Sequence, residues 1–337
     1  MGVPSRDFVD LVAIARGYQR SRALTVVAEL GIADLLNDGG RSVEDLAAAS
    51  GAAAEPLYRL LRALASLGVF HEEHERRFSL TPMGQFLRAD HPLTVAPVAR
   101  MFGAEYQWKA WGELLHTVRT GENAAVAALG VDVWDYRRAH AGDGETFDAA
   151  MRTLSAAEVP ALLSTYDLGR HRVIADIGGG TGALLATVLE ALPQVEGILF
   201  DQPHVVAGAA PVLEALEVAD RVDVVAGDFF ESVPAGADLY LMRRILHDWL
   251  DDDAIEILRC IRRSVEADGR LLVIEGIVGP PNDDPTTKFL DLMMLVSAGG
   301  KERTEAEWVA LLARGGFRFD RATRATANSH VIEAIPG

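Results

Sequence analysis

The residue pattern predicts an α/β protein, a Rossmann-like domain on a parallel sheet preceded by a helical domain of winged-helix shape. Three observations carry this. From Arg172 to Val278, short β-rich runs alternate with a glycine loop and helical segments, the pattern of a parallel sheet covered on both faces. Before Pro92, two helical segments joined by a short turn run into a hairpin. The 337 residues suit two domains, or one with an appendage. Boundaries are expected at 1–95 for the winged-helix domain, 96–167 for a helical connector and 168–337 for the Rossmann-like domain.

Phe8 to Leu36 has apolar residues at helical spacing (Leu11, Ile14, Ala15 and Tyr18, then Leu24, Val27, Ala28 and Leu30), broken at Gly17 and Gly31. These are helices with apolar faces. Ser42 is a good N-cap, with acids in the first turn and Gly51 as the stop. A second helix spans Glu55 to Leu67, and then Val69-Phe70, a charged turn from His71 to Arg77 and Phe78-Ser-Leu-Thr81 form a hairpin. A DNA-reading helix offers several cationic or amide side chains to phosphates and base edges. Glu55–Leu67 offers only Arg59 and Arg62, partly offset by Glu55, so the winged helix is expected to serve packing and dimerisation. His71-Glu-Glu-His74 reads as a solvated turn and not as a ligand pair.

Charge agrees with that reading. Lys and Arg sum to 32 against 49 Asp and Glu, a formal net charge of -17 that repels phosphate backbones and anionic lipid. Neither nucleic acid nor a membrane is an expected partner. The single cysteine, Cys260, allows no intrachain disulfide and no thiolate metal cluster, which suits a reducing cytoplasm. The first twenty residues place acids inside the apolar stretch, unlike a signal peptide or a membrane span.

Between Pro92 and Asp167 the pattern stays helical. Trp108, Trp111, Leu114, Leu115 and Val118 form one apolar stripe, and Phe147, Met151 and Leu154 another at i, i+4 and i+7. Such stripes are either core or the lining of a pocket for a flat apolar substrate.

In the Rossmann-like part, Val173 to Ile177 is a strand, Gly178-Gly-Gly180-Thr-Gly182 a loop and Ala183 to Leu192 a helix. The loop fits a weak dinucleotide fingerprint, but Asp176 stands two residues before the first glycine, where a carboxylate opposes a pyrophosphate and suits an ammonium or sulfonium. Asp201 ends the next strand and can accept both ribose hydroxyls, while Asp228, followed by Phe229, ends a later one and can accept an adenine amine. Glycines at Gly178 and Gly180 let the backbone approach an amino-acid tail. Three acids at successive strand ends read as a site for S-adenosylmethionine, at the carboxyl ends of the strands.

Asp176-Ile-Gly-Gly-Gly-Thr-Gly182, Phe200-Asp-Gln-Pro203, Gly227-Asp-Phe229, Ile245-Leu-His-Asp-Trp249 and Gly299-Gly-Lys-Glu-Arg-Thr304 together resemble the caffeic-acid-type small-molecule O-methyltransferases. The chain resembles bacterial natural-product members along nearly its whole length. This resemblance implies a homodimer, S-adenosylmethionine converted to S-adenosylhomocysteine, and methylation of a hydroxyl on an aromatic or polyketide-type small molecule. It places the catalytic base at His247, with supporting acids at Glu275 and Glu302. Cofactor contacts fall on Gly178, Asp201, Asp228, Phe229 and Arg243, the last a lysine in plant members. Pocket positions fall on Phe147, Met151, Leu154, Asp248, Met293, Met294 and Ala298. Leu154 and Ala298 replace polar residues of the plant pattern, which speaks against a phenylpropanoid substrate.

The chemistry accords with those residues. A phenol of pKa near 10 and a histidine near 6.5 differ by roughly 3.5 units, about 4.8 kcal/mol for proton transfer before attack. Two carboxylates beside the imidazole narrow that gap by raising its pKa. Asp251, Asp252 and Asp253 are explained as first-turn acids of the next helix, and no metal is expected. Two rival classes are a methyltransferase-like enzyme of decarboxylation, hydroxylation or pericyclic chemistry, and a ligand-sensing regulator. Retention of His247, Glu275 and Glu302 argues against the first, and the lack of a basic recognition helix against the second.

Overall fold

A computed structural model describes residues 5–337; residues 1–4 of the expected first domain lie outside it. The chain divides into two compact units, one of residues up to Trp108 with His140–Thr153, the other of Lys109–Ala139 with Leu154–Gly337. The helices of residues 96–167 are therefore shared between the two units.

In the first unit, Gly31 at φ 62° separates the helices Tyr18–Glu29 and Ile32–Leu35. The Ser42 hydroxyl accepts from the Asp45 N–H at the start of the helix Val43–Ser50, and Gly51 at φ 71° ends it. The helix Ala54–Ala65 turns Leu57, Leu61 and Leu64 inward, where they pack with Val27, Ile32, Leu46, Phe70 and Phe78. Three short strands, β1 (Arg41–Ser42), β2 (Phe70–Glu72) and β3 (Arg77–Leu80), pair antiparallel in the order β1-β3-β2 and complete the winged helix. The two-residue β1 has no alternation of its own to read and is set by its pairing with β3. The helix Arg6–Ala15 buries none of its residues; Phe8, Leu11 and Ile14 are 58%, 67% and 73% exposed.

The second unit is built on a seven-stranded sheet. Its strands are β4 (Val173–Ile177), β5 (Glu196–Asp201), β6 (Val222–Ala226), β7 (Leu239–Arg243), β8 (Arg270–Glu275), β9 (Phe317–Arg324) and β10 (His330–Pro336), in the order β6-β5-β4-β7-β8-β10-β9. The first five run parallel, and β10 is antiparallel to both β8 and β9. Every residue of β4 is buried, as a central strand of a doubly covered sheet requires. Ile257, Leu258, Ile261 and Trp308 pack with one set of strand side chains; Leu184, Leu185 and Leu189 pack with another. The sheet is thus mixed, where the sequence pattern showed only its parallel part. β9 is an edge strand whose Arg318, Asp320, Arg321 and Arg324 blunt the edge with charge and mask the apolar alternation that marks a strand.

The aromatic stripe is not core: Trp108, Trp111, Leu115 and Val118 are 37%, 36%, 60% and 69% exposed. Among the described residues, no helix is long and apolar enough to cross a membrane.

Candidate active site

Strand order reverses between β4 and β7, and the crevice at such a switch point is where open α/β sheets bind ligands. The loop there needs its glycines. Gly178 has φ 73°, and a Cβ on it would lie 2.6 Å from Ile245 Cδ1. The Gly180 N–H donates to Asp201 Oδ2 at 2.8 Å, and the Gln202 N–H to Oδ1 at 2.6 Å, so the Asp201 carboxylate at the end of β5 lies against the glycine loop. Asp176 is buried, and its Oδ2 has no hydrogen-bond partner among the described residues. Burial first, then the Asp201 charge, raises its carboxyl to about 7 against the opposing pull of Arg243. The exposed Asp228 accepts from the Phe230 N–H at 2.9 Å. Phe229 is half-buried and stands edge-on to Trp249, with centroids 6.1 Å apart. Arg243 Nε donates to Glu158 Oε2 at 2.6 Å, so this expected cofactor contact is tied to the helix Ala141–Thr165.

Beyond β7, the turn Leu246–Asp248 presents His247, buried at 6% exposure. Its Nδ1 is 2.6 Å from Glu302 Oε1 and 3.5 Å from Glu275 Oε2, and its Nε2 is 3.7 Å from Asp248 Oδ1. Glu275, the last residue of β8, also accepts the Ile245 and Leu246 N–H groups on Oε1 at 3.0 and 3.1 Å, so one carboxylate holds both the turn and the field around the ring. The second Oε of Glu275 and of Glu302 is buried without a hydrogen bond among the described residues. Burial alone lowers the imidazole; the charges of Glu275 and Asp248, with the hydrogen bond and charge of Glu302, override it and push His247 up to about 9. Burial likewise raises Asp248 to about 6 and Glu275 above the ordinary carboxylate range, opposed in both by the His247 charge.

The Gly-Gly-Lys-Glu-Arg-Thr segment has a steric reason. A Cβ on Gly300 would collide with the backbone of His247 and Asp248, and one on Gly276 would lie 2.5 Å from Glu302 Oε2. Fully buried Arg303 donates to the Leu246 and Trp249 carbonyls at 2.9 Å each and to Asp251 Oδ1 at 3.0 Å, clamping the His247 turn from below. Asn123 caps the helix Ala124–Leu129 and donates to the Leu295 and Ser297 carbonyls, steadying the turn through Ala298 and Gly299. Neither Arg303, Asn123 nor Arg244 was singled out from the sequence. Arg303 sat within a motif already noted, whereas Asn123 gave no local signal.

Of the expected pocket positions, Leu154, Asp248, Met293, Met294 and Ala298 belong to the second unit, where Met294 is buried and Leu154 is 36% exposed. Phe147 and Met151 belong to the first unit and are half-buried there. His247, Glu275 and Glu302 offer ligand atoms within 4.8 Å of one another, a spacing a metal ion can bridge. Arg244 Nη1, 3.8 Å from Glu302 Oε1, opposes a cation there.

Residues 111–318 match the O-methyltransferase domain family, and residues 12–90 the O-methyltransferase dimerisation domain family. The chain belongs to the O-methyltransferase family. It is 40% identical over 327 residues to a phenazine O-methyltransferase of Lysobacter antibioticus, covering 97% of this chain and 95% of that one. The crystal structure of human N-acetylserotonin methyltransferase with S-adenosylmethionine matches at TM-score 0.92 and 28% identity, covering all of both chains. A neocarzinostatin-biosynthesis O-methyltransferase solved with S-adenosylmethionine and 2-hydroxy-5-methylnaphthoic acid matches at TM-score 0.79 and 30% identity, covering 94% of this chain and 96% of that one. The chain is accordingly a methyltransferase that uses S-adenosylmethionine. Its own residues fit that donor: the loop is open at Gly180, where a side chain would meet nothing within 4 Å, and Asp176 keeps a buried carboxyl oxygen unpaired against the neighbouring Gly179.

Proposed function

We propose that this enzyme methylates a hydroxyl of an aromatic or polyketide-type small molecule, with His247 as the general base. The observation that carries the reading is the engagement of the two ring nitrogens. Nδ1 is held at 2.6 Å by Glu302, which leaves Nε2 to take a proton from an acceptor. The acceptor class follows the phenazine and naphthoic acid relatives, in keeping with Leu154, Met293, Met294 and Ala298 at the expected pocket positions. With the imidazole pushed up to about 9 by its carboxylates, proton transfer from a phenol near 10 is far less uphill than it is to an unperturbed histidine. The donor's sulfonium supplies a methyl carbon already activated for displacement. The protein's part is to hold the acceptor oxygen in line with that carbon, worth roughly 7 to 11 kcal/mol when well aligned, and to take the proton at Nε2. Methyl transfer screened over phenols, phenazines and anthraquinones tests the acceptor class; no product with any of them, from protein that binds the donor, overturns it.

Asp176, Gly178, Gly180, Asp201, Asp228, Phe229 and Arg243 would hold the donor, with Asp201 on the ribose. Asp201→Ala is expected to weaken S-adenosylmethionine binding by about 1.5 to 3 kcal/mol, the usual worth of a hydrogen bond to a charged group. Titration calorimetry measures this, and unchanged affinity removes Asp201 from the site.

The protein works as a homodimer in which a second copy covers the helix Arg6–Ala15. An apolar helix with no buried residue, lying partly inside a region that matches the dimerisation domain, supports this. Light scattering at micromolar concentration is expected to give twice the chain mass, and Leu11→Asp with Ile14→Asp to halve it. A wild-type monomer sinks the reading.

A further inference from the structure

β7 ends at Arg243, and Arg244 follows with φ 56°, a left-handed conformation uncommon for residues with side chains. Its N–H donates to the Ile274 carbonyl at 3.2 Å, next to Glu275. Its side chain is 12% exposed and reaches three groups. Nη2 donates to the Asn328 carbonyl at 2.8 Å and to Glu158 Oε1 at 3.4 Å, and Nη1 lies 3.8 Å from Glu302 Oε1, the oxygen that faces His247 Nδ1. Nη1 is buried with no hydrogen bond among the described residues, as is Glu302 Oε2. The guanidinium is thus anchored on one side and presents an unused donor to the carboxylate that orients the imidazole.

We propose that Arg244 is a positioning residue for the proton-transfer site, the fixed positive charge that keeps the Glu302 carboxylate aimed at His247 Nδ1. The proposal rests on His247 being the base. An arginine suits the task because its charge does not titrate and its planar fork serves Glu158 and Glu302 at once. The charges around the ring are Glu275 at the end of β8, Asp248 in the turn itself, Glu302 with Asp291 behind it, Arg244 after β7, and Arg137 from the helix Val133–Ala139. His330 on β10 lies within reach of the Arg244 charge. Arg244 opposes the upward push that burial gives Glu275 and Asp248. Without it the cluster carries one uncompensated negative charge, and a buried anionic cluster holds its proton more tightly.

The test is single-turnover methyl transfer, at saturating S-adenosylmethionine and with a phenolic acceptor identified by the screen, from pH 6.5 to 10 for wild type, Arg244→Met, Arg244→Lys and His247→Ala. In Arg244→Met the rising limb should move about one unit to higher pH, so the loss is about tenfold at pH 7 and shrinks as pH rises. Cofactor affinity should stay unchanged. Arg244→Lys keeps the charge and loses the fork; its limb should stay within about 0.3 unit of wild type at a lower plateau. A parallel profile for Arg244→Met, displaced in rate but not in pH, would mean a merely structural residue and overturns the proposal. If Arg244→Met does not fold, Arg244→Lys decides: a limb displaced by a full unit despite the retained charge overturns it equally. His247→Ala separates the two readings, because a variant that keeps the wild-type limb shows that His247 is not the base, whatever Arg244 does.

Discussion

His247→Ala is expected to slow methyl transfer by about 10² to 10⁴ while leaving S-adenosylmethionine affinity nearly intact, the usual share of acid–base catalysis. Activity survives at that level because alignment of the acceptor and activation of the methyl carbon do not depend on the ring. The pH profile carries more information than the rate at any one pH. An imidazole near 9 is mostly protonated at neutral pH and accepts a proton only in its neutral form, so the wild-type rate should rise between pH 7 and about 9 and then level. The sign follows from the partners: Glu275, Asp248 and Glu302 stabilise the imidazolium and so displace the limb upward from the ordinary histidine value. In His247→Ala the rate should climb with the phenolate fraction of the substrate up to about 10, and the gap to wild type should narrow above 9. Equal rates at neutral pH would mean that His247 is not the base and that proximity alone drives transfer.

How much of this was legible in the sequence differs from element to element. Gly51, Ser42 and the run Val173 to Ile177 were readable because capping, turn formation and full burial leave local marks. β9 and β10 were not: the charges along the edge strand β9 mask its alternation, and β10 takes its place and register only from pairing with the distant β8 on one side and β9 on the other. The candidate site shows the same divide. His247 alone reads as a helix-adjacent core histidine, and it was the joint motifs that singled it out. The reason for those motifs is steric and lies between distant segments: Gly300 against the His247 backbone, and Gly276 against Glu302. Arg244 stood beside a flagged residue, but its partners Glu158, Glu302 and Asn328 are 86, 58 and 84 positions away, beyond any local pattern.

Glu275 has two separable tasks, and two substitutions should separate them. Glu275→Gln keeps a carbonyl oxygen for the Ile245 and Leu246 N–H groups but removes the negative charge 3.5 Å from Nδ1. The imidazolium then loses a stabilising partner, so the rising limb of the pH profile should move to lower pH, opposite to the expected effect of Arg244→Met. The plateau should fall as well, because a less basic imidazole is a weaker acceptor of a phenolic proton. Glu275→Leu removes the acceptor too, leaving the Ile245 and Leu246 N–H groups unpaired, while Glu302 and Asp248 still face the imidazolium. Two orphaned N–H groups cost about 1 to 3 kcal/mol each, so calorimetry should show the second unit melting roughly 4 to 24 °C lower. Combined with His247→Ala, Glu275→Gln should add little to the loss of rate, since residues acting on one proton are not additive. If Glu275→Gln leaves the limb in place and only lowers stability, the carboxylate serves the turn alone, and Glu302 with Asp248 must account for the basicity of His247.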